Sequence, residues 1–184
     1  MSDSTANPLL ADTDLPAFSR IEPAHVLPAV DTVLADYRAA VDRLAARTGE
    51  ATFADVVVPQ EELGDRLARV FAPVSHLHSV RDSAALREVY GEAEERITAF
   101  HAELGQNRAL YEAMRAVRAR ADFATLTRGE RTLVDDAIRD FELAGVALEE
   151  PARSRFREIE TELTRLSTEF EQAVLDATDA WFED

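Results

Sequence analysis

One stripe of apolar residues sets the terms for this chain. From Phe156 it runs through Ile159, Leu163, Leu166, Phe170, Ala173, Ala177 and Ala180 in alternating steps of three and four, thickened by Val174 and Trp181. That spacing puts every member on one side of an α-helix, so the segment reads as one long helix with a single face to bury. Helices normally close on Gly or Asn just past the last turn, on nearby basic residues, or on a following Pro. Here the stripe runs into Trp181, Phe182, Glu183 and Asp184, with two acids where the helix dipole favours cations. The pattern reads as a helix cut short, its apolar face made for further structure.

The same period recurs upstream. Residues 1–19 read as an extended leader, because Asn7-Pro8, Asp12-Thr13-Asp14 and Leu15-Pro16 discourage helix, and its Leu9, Leu10, Leu15 and Phe18 predict packing on the body. A first helix begins near Glu22-Pro23, buries Val26, Val30, Val33, Tyr37, Val41 and Leu44, tolerates Pro28 with a slight bend, and ends at Thr48-Gly49. Residues 52–58 read as a short helical turn or loop, since Val56-Val57-Val58 has strand propensity but no partner strand. A second helix follows Pro59, with Leu63, Leu67, Val70, Phe71, Val74 and Leu77 inward, and Pro73 should kink or split it near Val70. A third, capped by Asp82 or Ser83, carries Leu86, Tyr90, Ala93, Ile97, Phe100 and Leu104 to Gly105.

A fourth helix spans about Asn107 to Arg120 through Leu110, Met114 and Val117. Thr127-Arg128-Gly129-Glu130 has capping-box spacing and opens a fifth, which buries Leu133, Val134, Ala137, Ile138 and Phe141 and stops at Gly145. Pro151 starts the sixth. The fold class is therefore all-α, about six helices in an antiparallel array with the last long and truncated, as one helical domain over residues 20–184 behind the leader.

Composition removes many functions. The net charge is −16, from 36 acids against 20 bases, and every base is Arg. Such a surface repels phosphate backbones and anionic lipid, which speaks against nucleic acid and membrane as partners. No apolar run approaches the roughly 18 residues of a membrane span, and residues 1–10 lack the pattern of a secretory signal. With no Cys, thiolate catalysis, disulfides and Cys-ligated metal drop out, and a cytoplasmic location fits.

Chemistry is equally sparse. His76 and His78 are two apart, which on a helix points them about 200° from each other. His25 and His101 have no supporting ligand at a useful offset, so all four histidines read as structural or surface residues. The pairs Glu61-Glu62, Glu94-Glu95, Asp135-Asp136 and Glu149-Glu150 diverge by about 100° on a helix and read as solvated faces. The aromatics Tyr37, Phe71, Tyr90, Phe100, Phe141, Phe156 and Phe170 sit at core spacing. There is no His-Glu-x-x-His, no phosphate-binding glycine loop and no dinucleotide fingerprint, so no catalytic, cofactor-binding or metal residue is assigned.

Four strings nevertheless stand in a telling order. LPAFSRIEPAHVLPAV (residues 15–30), FAPVSHLHSVRDSAALREVY (71–90), VDDAIRDFELAGVAL (134–148) and FEQAVLDATDAW (170–181) resemble the N-terminal region of the oligopeptidase A branch of the thimet oligopeptidase and neurolysin family of zinc metallopeptidases. The resemblance covers nearly the whole chain. It implies an almost wholly helical parent enzyme with a deep channel between two lobes. In that enzyme a His-Glu-x-x-His helix and a later Glu bind zinc, and the metal-bound water cleaves short peptides. This chain ends before such a helix, so the resemblance implies an inactive segment that forms part of the channel wall. Its zinc and its catalytic domain would belong to the rest of the same chain or to a separate one. The alternative is a free-standing helical module that dimerises or docks on a partner. In either case the last helix predicts self-association of the isolated chain.

Overall fold

A computed structural model of the protein describes residues 7–46, 50–81, 83–179 and 181. Among them it contains six α-helices, two short 3-10 turns (Phe18–Arg20 and Phe123–Thr125) and no strand. The helices are α1 (Pro23–Ala45), α2 (Phe53–Val80), α3 (Ala84–Gly105), α4 (Arg108–Arg118), α5 (Arg128–Leu143) and α6 (Ala152–Asp179). The all-α class and the six-helix count agree with the periodicity. Contacts divide the chain into two compact units, Met1–Ala144 and Gly145–Asp184.

Within the first unit α1 is the central member, packing on α2, α3 and α4, while α5 packs on α4. The reason lies in its sequence: Val26, Ala29, Val30, Val33, Leu34, Tyr37 and Val41 are all buried, a face wide enough to serve several neighbours. Leu67, Val70 and Val74 of α2 and Leu86, Ala93 and Phe100 of α3 complete this core. A second cluster forms where Leu110, Tyr111, Met114 and Val117 of α4 meet Val134 and Phe141 of α5. The Tyr111 hydroxyl there donates to Glu142 Oε1 at 2.9 Å.

Helix starts follow their caps. Side chains of Thr52, Ser83, Asn107 and Thr127 accept from backbone N–H groups in the first turns of α2, α3, α4 and α5. At α5 the box is reciprocal, since Thr127 N–H donates to Glu130 Oε2 at 2.7 Å. At α1 the Glu22 N–H donates instead to His25 Nδ1 at 3.0 Å, with Pro23 at the first helical position. The alternative caps and stops at Asp82, Thr48 and Gly49 lie outside the described residues.

Two expectations fail at α2. Residues 53–58 are neither loop nor isolated turn, and Pro59 does not open a separate helix: both belong to one helix that starts at Phe53, and Pro73 does not divide it. Each proline removes one backbone bond, but burial outweighs the loss. Thr52 Oγ1 accepts from Asp55 N–H at 3.1 Å and donates to Asp55 Oδ2 at 2.6 Å, fixing the start. Val56 and Val57 are buried before Pro59, and Val70 and Val74 flank a buried Pro73. Burying each such side chain contributes about 1.5–3 kcal/mol, enough to carry a helix through a missing bond. α4 also ends at Arg118 rather than Arg120, with Ala119 as C-cap.

The leader is held at three points, but Leu10 and Leu15, expected to pack on the body, are exposed because the irregular chain turns them outward. Asn7 Nδ2 donates to the His25 carbonyl of α1 at 2.7 Å, while Asn7 Oδ1 and its carbonyl accept from Leu9 and Leu10 N–H. Pro8 and Leu9 are buried, and Phe18 packs its ring against His76 of α2 at 5.4 Å.

Exposed ion pairs tie the helices together: Arg66–Asp36 joins α2 to α1 at 2.7 Å, Arg96–Asp31 joins α3 to α1 at 2.5 Å, and Arg118–Asp135 joins α4 to α5 at 2.5 Å. Arg38 bridges to Glu103 at 2.8 Å while its guanidinium lies 5.1 Å from the centroid of the Phe100 ring.

Candidate functional site

The four histidines go to four places. His25 serves the first turn of α1, and His76 stands exposed against Phe18. His78 stacks flat on Tyr90 of α3 at 4.1 Å, and Tyr90 also stacks on Phe71 at 5.3 Å. His101 sits beside Phe100. His76 and His78 thus meet different partners, as their spacing requires. Among the described residues no three His, Asp or Glu side chains converge as a metal-binding group.

The acidic pairs are dispersed as well. Glu61, Glu62, Glu94, Glu95, Glu149 and Glu150 are exposed. Glu94 accepts the Tyr90 hydroxyl at 2.7 Å, and that bond raises the Tyr90 pKa. Asp135 is engaged by Arg118, and Asp136 by Arg139.

Three surfaces stand out among the described residues. The first is a corner of small residues, Ala51, Ala116, Ala119 and Ala121, around Arg120. Arg120 spends its donors on Asp122 at 2.8 and 3.0 Å and on Glu50 at 2.8 Å, which draws the Asp122 carboxyl below its usual range. That corner is a clasp between the segment before α2 and the turn after α4.

The second is a cavity of about 470 Å³ between the leader and α2. Its walls are mixed: Pro8, Leu9, Pro16, Phe18, Ile21 and Ala72 give apolar surface, and Asp12, Thr13, Asp14 and Arg69 give polar surface. No periodicity in the sequence announces it, because it arises where an irregular segment crosses a helix.

The third belongs to the second unit. Gly145, at φ 80°, turns the chain, and Arg153 Nε donates back to the Leu148 carbonyl at 3.1 Å as α6 begins. Along α6 the stripe residues Ile159, Leu163, Leu166, Phe170 and Val174 are exposed, Phe170 at 70%, and Trp181 beyond it is exposed to the same degree. One face of α6 carries acids held by Arg165, which pairs with Glu162 at 2.6 Å and with Glu169. A run of large apolar side chains on one helix face, rimmed by ion pairs, is an interaction surface rather than a reaction centre.

Comparison with known proteins identifies the family. The N-terminal domain of neurolysin and thimet oligopeptidase matches residues 30–153. Oligopeptidase A of Salmonella typhimurium and that of Escherichia coli are each 41% identical over 175 residues, which is 95% of this chain and 26% of theirs. Oligopeptidase A of Haemophilus influenzae is 36% identical over 178 residues, 97% of this chain and again 26% of the relative. The chain spans about a quarter of the length of these curated relatives.

Proposed function

We propose, because this chain belongs to the family of neurolysin and thimet oligopeptidase N-terminal domains, that it acts as the non-catalytic helical domain of a peptidase that cleaves short peptides. In this reading α6 is the seam to the catalytic part, and the first unit forms one wall of the channel that admits peptides. The observation that carries it is the exposed stripe from Ile159 to Trp181, in a chain whose relatives are about four times as long. The relatives are named oligopeptidases, and a domain of such an enzyme would act on peptides only through the assembled whole.

In this reading the parent's zinc belongs to the rest of the enzyme. Zinc in a hydrolase takes three protein ligands and a water, and the described residues bring no such set together. The metal would be held by the remainder of the enzyme, and no step of hydrolysis is assigned to these residues. No helix among the described residues is long and apolar enough to cross a membrane, and a cytoplasmic setting is part of the proposal.

The test is reconstitution. This chain is mixed with the remaining three-quarters of an oligopeptidase A relative, loaded with zinc, and assayed on a quenched fluorescent peptide. Hydrolysis that appears only on mixing, and that Leu163→Asp with Leu166→Asp abolishes, supports the domain reading. A remainder fully active without this chain, or a mixture that never forms a complex, defeats it. Free association of the chain with itself alone favours a dimerisation module.

A further inference from the structure

The cavity under the leader has walls that specify an occupant. Its volume of about 470 Å³ lies within the roughly 300–1,000 Å³ of small-ligand sites, and it lies wholly within the first unit. Pro8 and Leu9, both buried, line it together with the exposed Phe18, whose ring packs beside His76. These surfaces suit a bulky apolar side chain.

Its polar groups are mostly acceptors. Asp12 and Asp14 sit at the leader side with exposed carboxylates. From α2, the Arg69 guanidinium is already engaged, with Nε donating to Asp65 Oδ2 at 2.6 Å. Arg69 lies four residues before Pro73, which also lines the cavity and has no N–H to give the Arg69 carbonyl. Its charged groups are therefore two carboxylates with no partner among the described residues and one arginine already paired with an acid, inside a chain of net charge −16. An anionic occupant is disfavoured, and an ammonium or guanidinium beside the apolar side chain is attracted.

We infer that this cavity binds a bulky apolar group adjoining an ammonium or guanidinium, a combination that a Leu-Arg pair presents. The apolar side chain enters between Phe18, Ile21 and Ala72, and the cation faces Asp12 and Asp14. The site needs no catalytic part, so it stands or falls separately from the domain reading.

The experiment is fluorescence anisotropy on the 184-residue chain with three labelled hexapeptides, whose central pairs are Leu-Arg, Leu-Glu and Ser-Arg. The Leu-Arg peptide is expected to bind more tightly than either of the others by about fivefold or more, with affinity falling as NaCl is raised. Asp12→Asn combined with Asp14→Asn should erase the preference of Leu-Arg over Leu-Glu. Ala72→Phe, at an exposed position that fills the cavity, should weaken Leu-Arg binding by about tenfold. Both variants change exposed residues, and circular dichroism melts establish that they remain folded. Equal affinity for the three peptides, no binding by any of them, or Leu-Arg binding that a folded Ala72→Phe variant retains would overturn the inference.

Discussion

The ring of Phe156 lies against the backbone of Gly145: a Cβ built at Gly145 would come within 2.9 Å of Phe156 Cδ1. The backbone there has φ 80°, in the left-handed region that suits glycine, so both the conformation and the contact exclude a side chain. Gly145→Ala should cost about 1–3 kcal/mol, read as a lower urea midpoint. Because part of that cost is steric, a double variant with Phe156→Ala should lose less than the sum of the two single changes. Strict additivity would show that the ring does not press on the glycine.

Tyr37 and Gln60 give a second test. The Tyr37 hydroxyl donates toward the Gln60 carbonyl at 3.3 Å and its side-chain Oε1 at 3.2 Å, in a buried setting. Gln60 Nε2 is buried with no hydrogen-bond partner among the described residues. Tyr37→Phe should cost about 1–2 kcal/mol, because it leaves the amide oxygen unpaired as well. Adding Gln60→Leu removes the orphaned groups and should restore much of the loss. A double variant worse than the single one would disprove this account.

The same hydroxyl should titrate late. Burial first, and the Glu61 charge second, push its pKa up to about 12. A phenol whose folded pKa is raised stabilises the fold fully below its unfolded value near 10 and loses that contribution as pH climbs through about 12. Absorbance at about 295 nm, which follows phenolate formation, should therefore include a step with or just before alkaline unfolding that Tyr37→Phe removes.

Charge yields a prediction on salt. At −16 the chain repels itself, and its ion pairs are largely exposed, so each contributes little. Screening should thus stabilise on balance. Tm is expected to rise with NaCl, by roughly 2–4 °C for each kcal/mol of repulsion removed. A falling Tm would mean that bridges such as Arg96–Asp31 and Arg66–Asp36 outweigh the repulsion.

Glu130 closes the capping box of α5, and its bonds to the Thr127 side chain and backbone hold its carboxyl below the usual range. A lowered carboxyl pKa gives stability that is present above the unfolded value and fades as pH falls through the folded one. The acid limb of a stability profile should therefore shift upward in Thr127→Ala, which should also cost about 1 kcal/mol at neutral pH. An unchanged acid limb would show that the cap is not what holds Glu130 ionised.

Much of this fold is legible without coordinates, because helix faces and caps are local signals. The α1 face from Val26 to Val41, the Ser83 and Thr127 caps and the turn at Gly145 all read directly from spacing and residue type. The start of α2 does not. Local rules penalise Pro59 and Pro73 and mark Val56-Val57-Val58 as strand-like, whereas tertiary burial of Val57, Val70 and Val74 decides the matter. Tyr111, three residues before Met114, lies on the edge of the Leu110–Met114–Val117 stripe, and its contact with Phe141 of α5 helps to bury it. The leader cavity is invisible in sequence because no repeat encodes the crossing of an irregular segment over a helix. The α6 stripe is fully visible, and it is also the surface on which the functional proposal rests.

The steps of three and four along α6 amount to a period of seven, slightly shorter than two helical turns of about 7.2 residues. Over its 28 residues α6 spans about 42 Å, and a seam of that period winds slowly left-handed around it. A helix that covers the seam along its whole length must therefore run nearly alongside, inclined by about 20°, rather than cross it steeply. Such a partner would have to match α6 over several turns at once, so the seam discriminates by length and phase, and a one-residue insertion within it would carry every following side chain about 100° off the shared face.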